Sequence, residues 1–176
     1  AYTVPNRTGT ISGTDNRIAI EGSTLNISPG GSGFGITATD AWNADASNNT
    51  IQITESTINW DASSYNGVFT SVIGSGGGNN ITANGIELTD VSMTVTRGQA
   101  AGSLTIYGAQ SVGNSSGNWL RVLGQSTLSG VTGLSGVWTN GDGSAATGNT
   151  VEIRGNNEQE QVHIQNKVAI YGGRVQ

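Results

Sequence analysis

The sequence has no cysteine, one lysine, one histidine, one methionine and two prolines. Without thiols it can hold neither a disulfide framework nor a cysteine-ligated metal. Its seven lysines and arginines are outnumbered by twelve aspartates and glutamates, so the net charge is -5 and the pI is near 4.6. That balance attracts neither nucleic acid nor an anionic lipid surface. No apolar run approaches the roughly 20 residues that cross a bilayer as a helix, and no charged-then-apolar leader is visible. Charge of either sign is scarce, at 11% of residues, and the polar positions fall instead to 28 glycines and to serine, threonine and asparagine. These types favour turns and short strands and disfavour helix. The composition suits a secreted bacterial protein better than a cytosolic enzyme, and the opening AYTVPNRTG is in keeping with a mature end left by a signal peptidase.

What the chain does contain is a repeat. Asparagine, any residue, aliphatic, any residue, aliphatic recurs as Asn16-Arg-Ile18-Ala-Ile20, Asn49-Thr-Ile51-Gln-Ile53, Asn84-Gly-Ile86-Glu-Leu88, Asn118-Trp-Leu120-Arg-Val122 and Asn149-Thr-Val151-Glu-Ile153. The five asparagines are 33, 35, 34 and 31 residues apart. Any single Asn is cheap among 18, but five in register before one aliphatic pattern are not. Eleven residues before the last three stand Ile73, Tyr107 and Trp138, beside glycine-rich runs, and Tyr171 repeats the setting of Tyr107. By that phase the Asn after Tyr171 would fall near position 182, so the chain is expected to end inside a repeat.

Alternation of aliphatic and polar residues over four or five positions is the period of a half-buried strand. A short strand recurring every 20–50 residues between Gly/Asn/Ser turns is the pattern of a solenoid, in which each coil buries its aliphatic row against the next. Each repeat holds two strand-like stretches, such as IAIEGSTLNI and then GFGITAT, which predicts about one and a half to two coils per repeat and a rod of about 40–50 Å at the strand spacing. Asn16, Asn49, Asn84, Asn118 and Asn149 are expected at a corner, left-handed in backbone and hydrogen-bonded from coil to coil. An antiparallel β-sandwich is the alternative fold, although its strands have no reason to recur every 33 residues.

The stretches NTVEIRG at 149–155 and NKVAIYGGRV at 166–175, with GVWTNGDGSAATGN leading into the next strand, resemble the passenger repeats of bacterial autotransporter adhesins and related haemagglutinin-like surface proteins. The similarity is close over about 80–176 and loose over 16–79. It implies a right-handed parallel β-helix, here a single domain over 1–176, exported to the bacterial surface or secreted.

Some β-helices are polysaccharide-degrading enzymes that use clustered acids or bound calcium. Here only Asp40/Asp45 and Glu158/Glu160 are close in sequence, so an enzyme is a secondary reading. Gly141-Asp142-Gly143-Ser144 is similar to a serine-protease nucleophile loop, but it lacks the following glycine. The sole histidine, His163, lies downstream of the serine rather than upstream. His163 is expected to point outward from a strand. The run GSGGGNN at 74–80 has no lysine or helix after it and reads as a turn rather than a nucleotide loop. No cofactor and no metal site is expected.

Binding would use outward-facing residues. On the repeated strand these are Arg17, Gln52, Glu87, Trp119, Arg121 and Glu152, with Trp119 an exposed platform for a sugar ring or a partner side chain. Trp119, Arg121, Trp138 and Tyr107 are the candidate binding residues; each aromatic taken singly could instead cover a coil corner. Glu87, Arg121 and Glu152 share one column and so measure the coil. They would be about 5 Å apart if a repeat is one coil and about 10 Å if it is two. The expectation is therefore a non-catalytic adhesin or structural segment that contacts a glycan or a protein on another cell, or another copy of itself, with no nucleic-acid partner and no membrane insertion by this segment; the main alternative is a subunit of a self-assembling extracellular filament or biofilm matrix that stacks through its uncapped ends.

Overall fold

A computed structural model describes residues 12–28, 36–38, 45–63, 69–74, 77–97, 103–111, 113–139, 144–165 and 167–175. The chain is a right-handed parallel β-helix with four sheets around one core, and no helix occurs among the described residues. Each rung contributes one strand to each sheet. The first rung is β1 (Ser12–Thr14), β2 (Arg17–Glu21), β3 (Thr24–Ile27) and β4 (Ile36–Thr37). The second is β5 (Asp45–Ser47), β6 (Thr50–Thr54), β7 (Thr57–Ala62) and β8 (Phe69–Gly74), extended by the short β9 (Gly77–Gly78). The third is β10 (Ile81–Thr82), β11 (Gly85–Thr89), β12 (Ser92–Arg97) and β13 (Ser103–Ser111). The fourth is β14 (Ser115–Ser116), β15 (Trp119–Leu123), β16 (Thr127–Ser129) and β17 (Gly133–Thr139). The fifth is β18 (Ala146–Thr147), β19 (Thr150–Arg154), β20 (His163–Gln165) and β21 (Ala169–Val175).

One repeat is therefore one coil, which corrects the expectation of one and a half to two. Ile51 pairs with Ile18 before it and Ile86 after it, and the column runs on through Leu120 to Val151. The stretch that reads as a single strand, IAIEGSTLNI, bends in the middle and supplies two sheets, so a four-sided coil consumes the whole 33-residue period. Five rungs at the inter-strand spacing rise only about 20 Å, half the length expected.

The core consists of the inward columns. Ile51, Ile53, Ile58, Ile86, Leu88, Met93, Ile106, Leu120, Val122, Leu128 and Leu134 are all buried, and Trp60 is buried with them. Alternation inside each strand selects these side chains, and stacking of like on like gives every inner residue neighbours above and below.

One corner recurs in all five rungs and a second in the first four. The residue before each ladder asparagine is left-handed: Asp15, Asn48, Ala83, Gly117 and Gly148 have φ between 55° and 63°. A second left-handed column, Gly22, Glu55, Asp90 and Gly124, turns the chain between the second and third sheets. The asparagines themselves are not left-handed, contrary to expectation. The turn is made one residue earlier, where the backbone N–H of Ala83 donates to the carbonyl of Ser116 in the next rung at 3.0 Å.

Tyr107 and Tyr171 do share a column, with Ser135 between them, so their 64-residue separation is two rungs. Trp138 does not belong to it. It pairs with Gln110 and Arg174, three residues along the strand, because the rungs differ in length and counting back from the asparagine does not preserve register. The run at 74–80 is only partly a turn, since Gly77 and Gly78 form β9 and pair with Gln110 and Ser111; residues 75–76 lie outside the described residues.

Candidate functional site

The asparagine ladder runs the length of the solenoid on the inside of a corner. Asn49 donates its backbone N–H and its Nδ2 to Asn84 Oδ1 at 3.0 and 2.8 Å. Asn84 does the same to Asn118 at 3.0 Å each, and Asn118 to Asn149 at 2.9 Å each. Asn16 joins the same chain through Asn49 Oδ1 at 3.1 and 2.8 Å. The second Nδ2 hydrogen turns back to a carbonyl of the preceding rung: Asn49 to Gly13, Asn84 to Ala46, and Asn118 to Ile81. Asn49, Asn84 and Asn118 are completely buried. Only a side chain with both an acceptor and two donors can serve both neighbouring rungs at that depth. The ladder is thus structural.

A serine ladder at the next corner was not legible in the sequence. Ser56 Oγ accepts from the Ser23 N–H at 3.1 Å and donates to Thr54 O at 2.7 Å. Ser126 Oγ likewise accepts from the Val91 N–H at 3.0 Å and donates to Leu123 O at 2.7 Å. The position is interrupted by Val91 and shifted by one residue in the fourth rung, which hides its period.

The outer face of the second sheet carries the charge. Glu87, Arg121 and Glu152 are register partners, as the one-coil case requires. Arg121 reaches Glu87 at 3.5 Å and Glu152 at 3.2 Å, and Arg154 reaches Glu152 at 3.0 Å. Arg121, Glu152 and Arg154 are exposed and Glu87 is half-buried, so the network orients side chains more than it stabilises the fold. Arg121 also stacks over the Trp119 ring, 4.7 Å from its centroid. Trp119 points outward as expected but is only half-exposed, because its ring lies against Gly85 of the preceding rung where a side chain would otherwise stand. One face therefore covers backbone and the guanidinium occupies ring surface. Trp119 and Arg121 form a closed pair rather than an open aromatic platform.

Trp138 is buried, 9% exposed, within β17, which is buried along its whole length. Its ring is not on the surface where a ligand could reach it, and this corrects its place among the candidate binding residues. The backbone of Tyr107 lies in β13, while its side chain lies outside the described residues. Trp42, Asp40 and residues 141–143 also lie outside them. His163 is exposed on β20, as expected of an outward strand residue.

The outer face of the third sheet is different in chemistry. Two adjacent columns run Thr24, Thr57, Ser92, Thr127, His163 and Asn26, Asn59, Thr94, Ser129, Gln165. None of these ten side chains is a carboxylate, lysine or arginine, and all are exposed or half-exposed. They form a grid of hydroxyls and amides about 4.8 Å apart between rungs and about 6.7 Å apart along a strand. Asn59 Nδ2 donates to Asn26 Oδ1 at 2.9 Å, which orients part of the grid. Sequence reasoning passed over this face because it was directed to the strand after each asparagine.

In the fifth rung the second corner is enlarged. Residues 155–160 form a loop closed by the Asn156 N–H and Nδ2 donating to Glu160 O and Oε2 at 2.9 and 3.1 Å. It borders an open depression of about 490 Å³ lined by Ile153, Gly155, Asn157, Glu158, Gln161 and Val162. Among the described residues no group of three or more His, Asp or Glu side chains could hold a metal ion. No known protein family, no curated protein and no solved structure matches this chain.

Proposed function

We propose that this β-helix is a non-catalytic contact segment of a bacterial surface or secreted protein, of the adhesin type that its repeats resemble, and that it binds neutral glycan. The supporting observation is the outer face of the third sheet, where two columns made mostly of Thr, Ser and Asn run beside the two internal ladders, with Asp61 one step further along β7 at their edge. Sugar hydroxyls both donate and accept, and so do these side chains. Within these two columns no carboxylate, lysine or arginine has to be desolvated when a neutral ligand covers them. The regular spacing offers a repeating polymer the same contacts at each rung, which adds weak contacts into useful avidity. Against a hydrolase or lyase, Glu87 and Glu152 are engaged by arginines rather than facing one another across a groove.

The test is retention of the purified chain on immobilised neutral polysaccharides and on cell surfaces, with release of reducing ends measured in the same samples. Binding without release, lost when Asn59 and Thr94 are both changed to Lys and kept in Trp119→Ala, is the expected result. Release of reducing ends, or no retention on any glycan, would replace this reading.

A further inference from the structure

We propose that Asn84 is a deamidation site that folding closes, so that time spent unfolded is written irreversibly into the chain at the centre of its own ladder. This does not depend on glycan binding.

The sequence supplies the reactivity. Of the five ladder asparagines only Asn84 is followed by glycine; the others precede Arg17, Thr50, Trp119 and Thr150. In an unfolded Asn-Gly pair the glycine nitrogen, unshielded by a Cβ and free to rotate, attacks the asparagine Cγ once its proton has gone to hydroxide. The new C–N bond closes an imide ring, and Nδ2 takes up a proton and leaves as ammonia. Water then opens the ring at either carbonyl, giving aspartate or its β-linked isomer, isoaspartate. Amide and water become acid and ammonia, with no change of oxidation state.

The fold supplies the block. The peptide between Asn84 and Gly85 is clamped from both neighbouring rungs: the Gly85 N–H donates to Asn49 O at 2.9 Å, and the Asn84 carbonyl accepts from the Trp119 N–H at 2.9 Å. The side-chain amide is held as firmly. Its Oδ1 accepts twice from Asn49, and its Nδ2 donates to Asn118 Oδ1 and to Ala46 O. Both residues are buried, so the nitrogen can neither turn toward Cγ nor meet hydroxide.

The same bonds reject the product. An ionised aspartate at position 84 has no hydrogen for Asn118 Oδ1 or Ala46 O, and it sets an unpaired charge where nothing is exposed. Isoaspartate also adds a carbon to the backbone just before β11 and disturbs its register with β6 and β15. A chain modified while open therefore cannot close. The labile pair is there because Gly85 seats Trp119, whose indole ring a Cβ would meet.

The experiment incubates the full chain at neutral pH, folded and in urea, with peptide mass spectrometry resolving Asn84 from the other Asn-Gly pairs at Asn66 and Asn140. In urea the three are expected to convert at similar rates. In the folded chain Asn84 should convert slower by about a thousandfold or more, the ratio by which a stable fold outweighs its open state. On dilution from urea, modified Asn84 should be confined to the fraction that fails to refold. Trp119→Ala combined with Gly85→Ala should keep its refolding yield longer than Trp119→Ala alone, since both retain Asn66 and Asn140 and differ only in the pair at 84. Asn84→Asp, made directly, should unfold at lower urea than Asn84→Ala, the buried charge adding to the lost donor. Equal conversion of Asn84 in the folded and unfolded chain, modified Asn84 in the refolded fraction, equal loss of yield in the two variants, or wild-type stability of Asn84→Asp overturns the proposal.

Discussion

Trp119 packs against Gly85, its register partner in the preceding rung: a Cβ placed on Gly85 would collide with the indole ring. The glycine is what lets a large aromatic lie down on a flat sheet, and Arg121 then closes over it. The two positions are therefore coupled, although 34 residues separate them.

Gly85→Ala is expected to push the ring outward and cost about 1–2 kcal/mol, since the colliding atoms belong to a movable side chain. In a Trp119→Ala background the same change should cost much less, leaving a clear non-additive term in urea denaturation. Equal costs in both backgrounds would mean that Trp119 does not rest on Gly85.

Asn84 is the centre of the buried ladder, and Asn84→Ala leaves the N–H and Nδ2 of Asn49 and the carbonyl of Ala46 without their partner. The expected loss is about 3–5 kcal/mol. Asn59→Ala, at the exposed Asn26–Asn59 pair, should change stability by about 0.5 kcal/mol or less. Thermal or urea unfolding of the two variants side by side measures the contrast.

Ala83 holds φ 56° at a corner where the next two rungs use Gly117 and Gly148. Ala83→Gly should therefore stabilise the protein, by about 0.5–1 kcal/mol, by releasing left-handed strain. Gly130 is the opposite case, with φ 83° and the Val95 carbonyl in the path of any Cβ. Gly130→Ala should destabilise by about 3 kcal/mol, because backbone rather than a movable side chain blocks it.

Ser63 holds the Asp61 carboxyl below its ordinary value of 3.8, first through its hydroxyl and then through its N–H, which donates to Oδ1 at 2.9 Å. A depressed folded-state value stabilises the fold above the unfolded-chain value, and the contribution is lost as pH falls through the folded one. Carboxyl-carbon NMR titration should show the Asp61 midpoint rising toward the ordinary value in Ser63→Ala.

Much of this architecture was readable residue by residue. Asn16, Asn49, Asn84, Asn118 and Asn149 announce the rung because a short amide side chain there, as at Asn84, accepts from and donates to the backbone of the preceding rung while donating to the amide of the next. The charge column was readable as well, since Glu87, Arg121 and Glu152 sit at one offset from those asparagines. Trp138 was misplaced for the converse reason. It was located by counting backward through a segment whose length varies from rung to rung, and no ladder residue corrects the count there. The serine ladder was hidden because a backbone N–H, at Val91, fills a position whose side chain has no part in it.

The sequence by itself determined the period, the parallel stacking and the identity of the inner columns, because a buried amide and an alternating aliphatic pattern constrain every repeat alike. The tertiary structure decided how much chain one coil consumes. A corner costs two or three residues whose left-handed turn can be made by Asp15, Asn48, Ala83 or Gly117, and such varied residue types leave no common mark. It also decided which surfaces are open. Whether Trp119 stands free or lies on its neighbour depends on Gly85 one rung away, a contact that exists only once the coils are stacked.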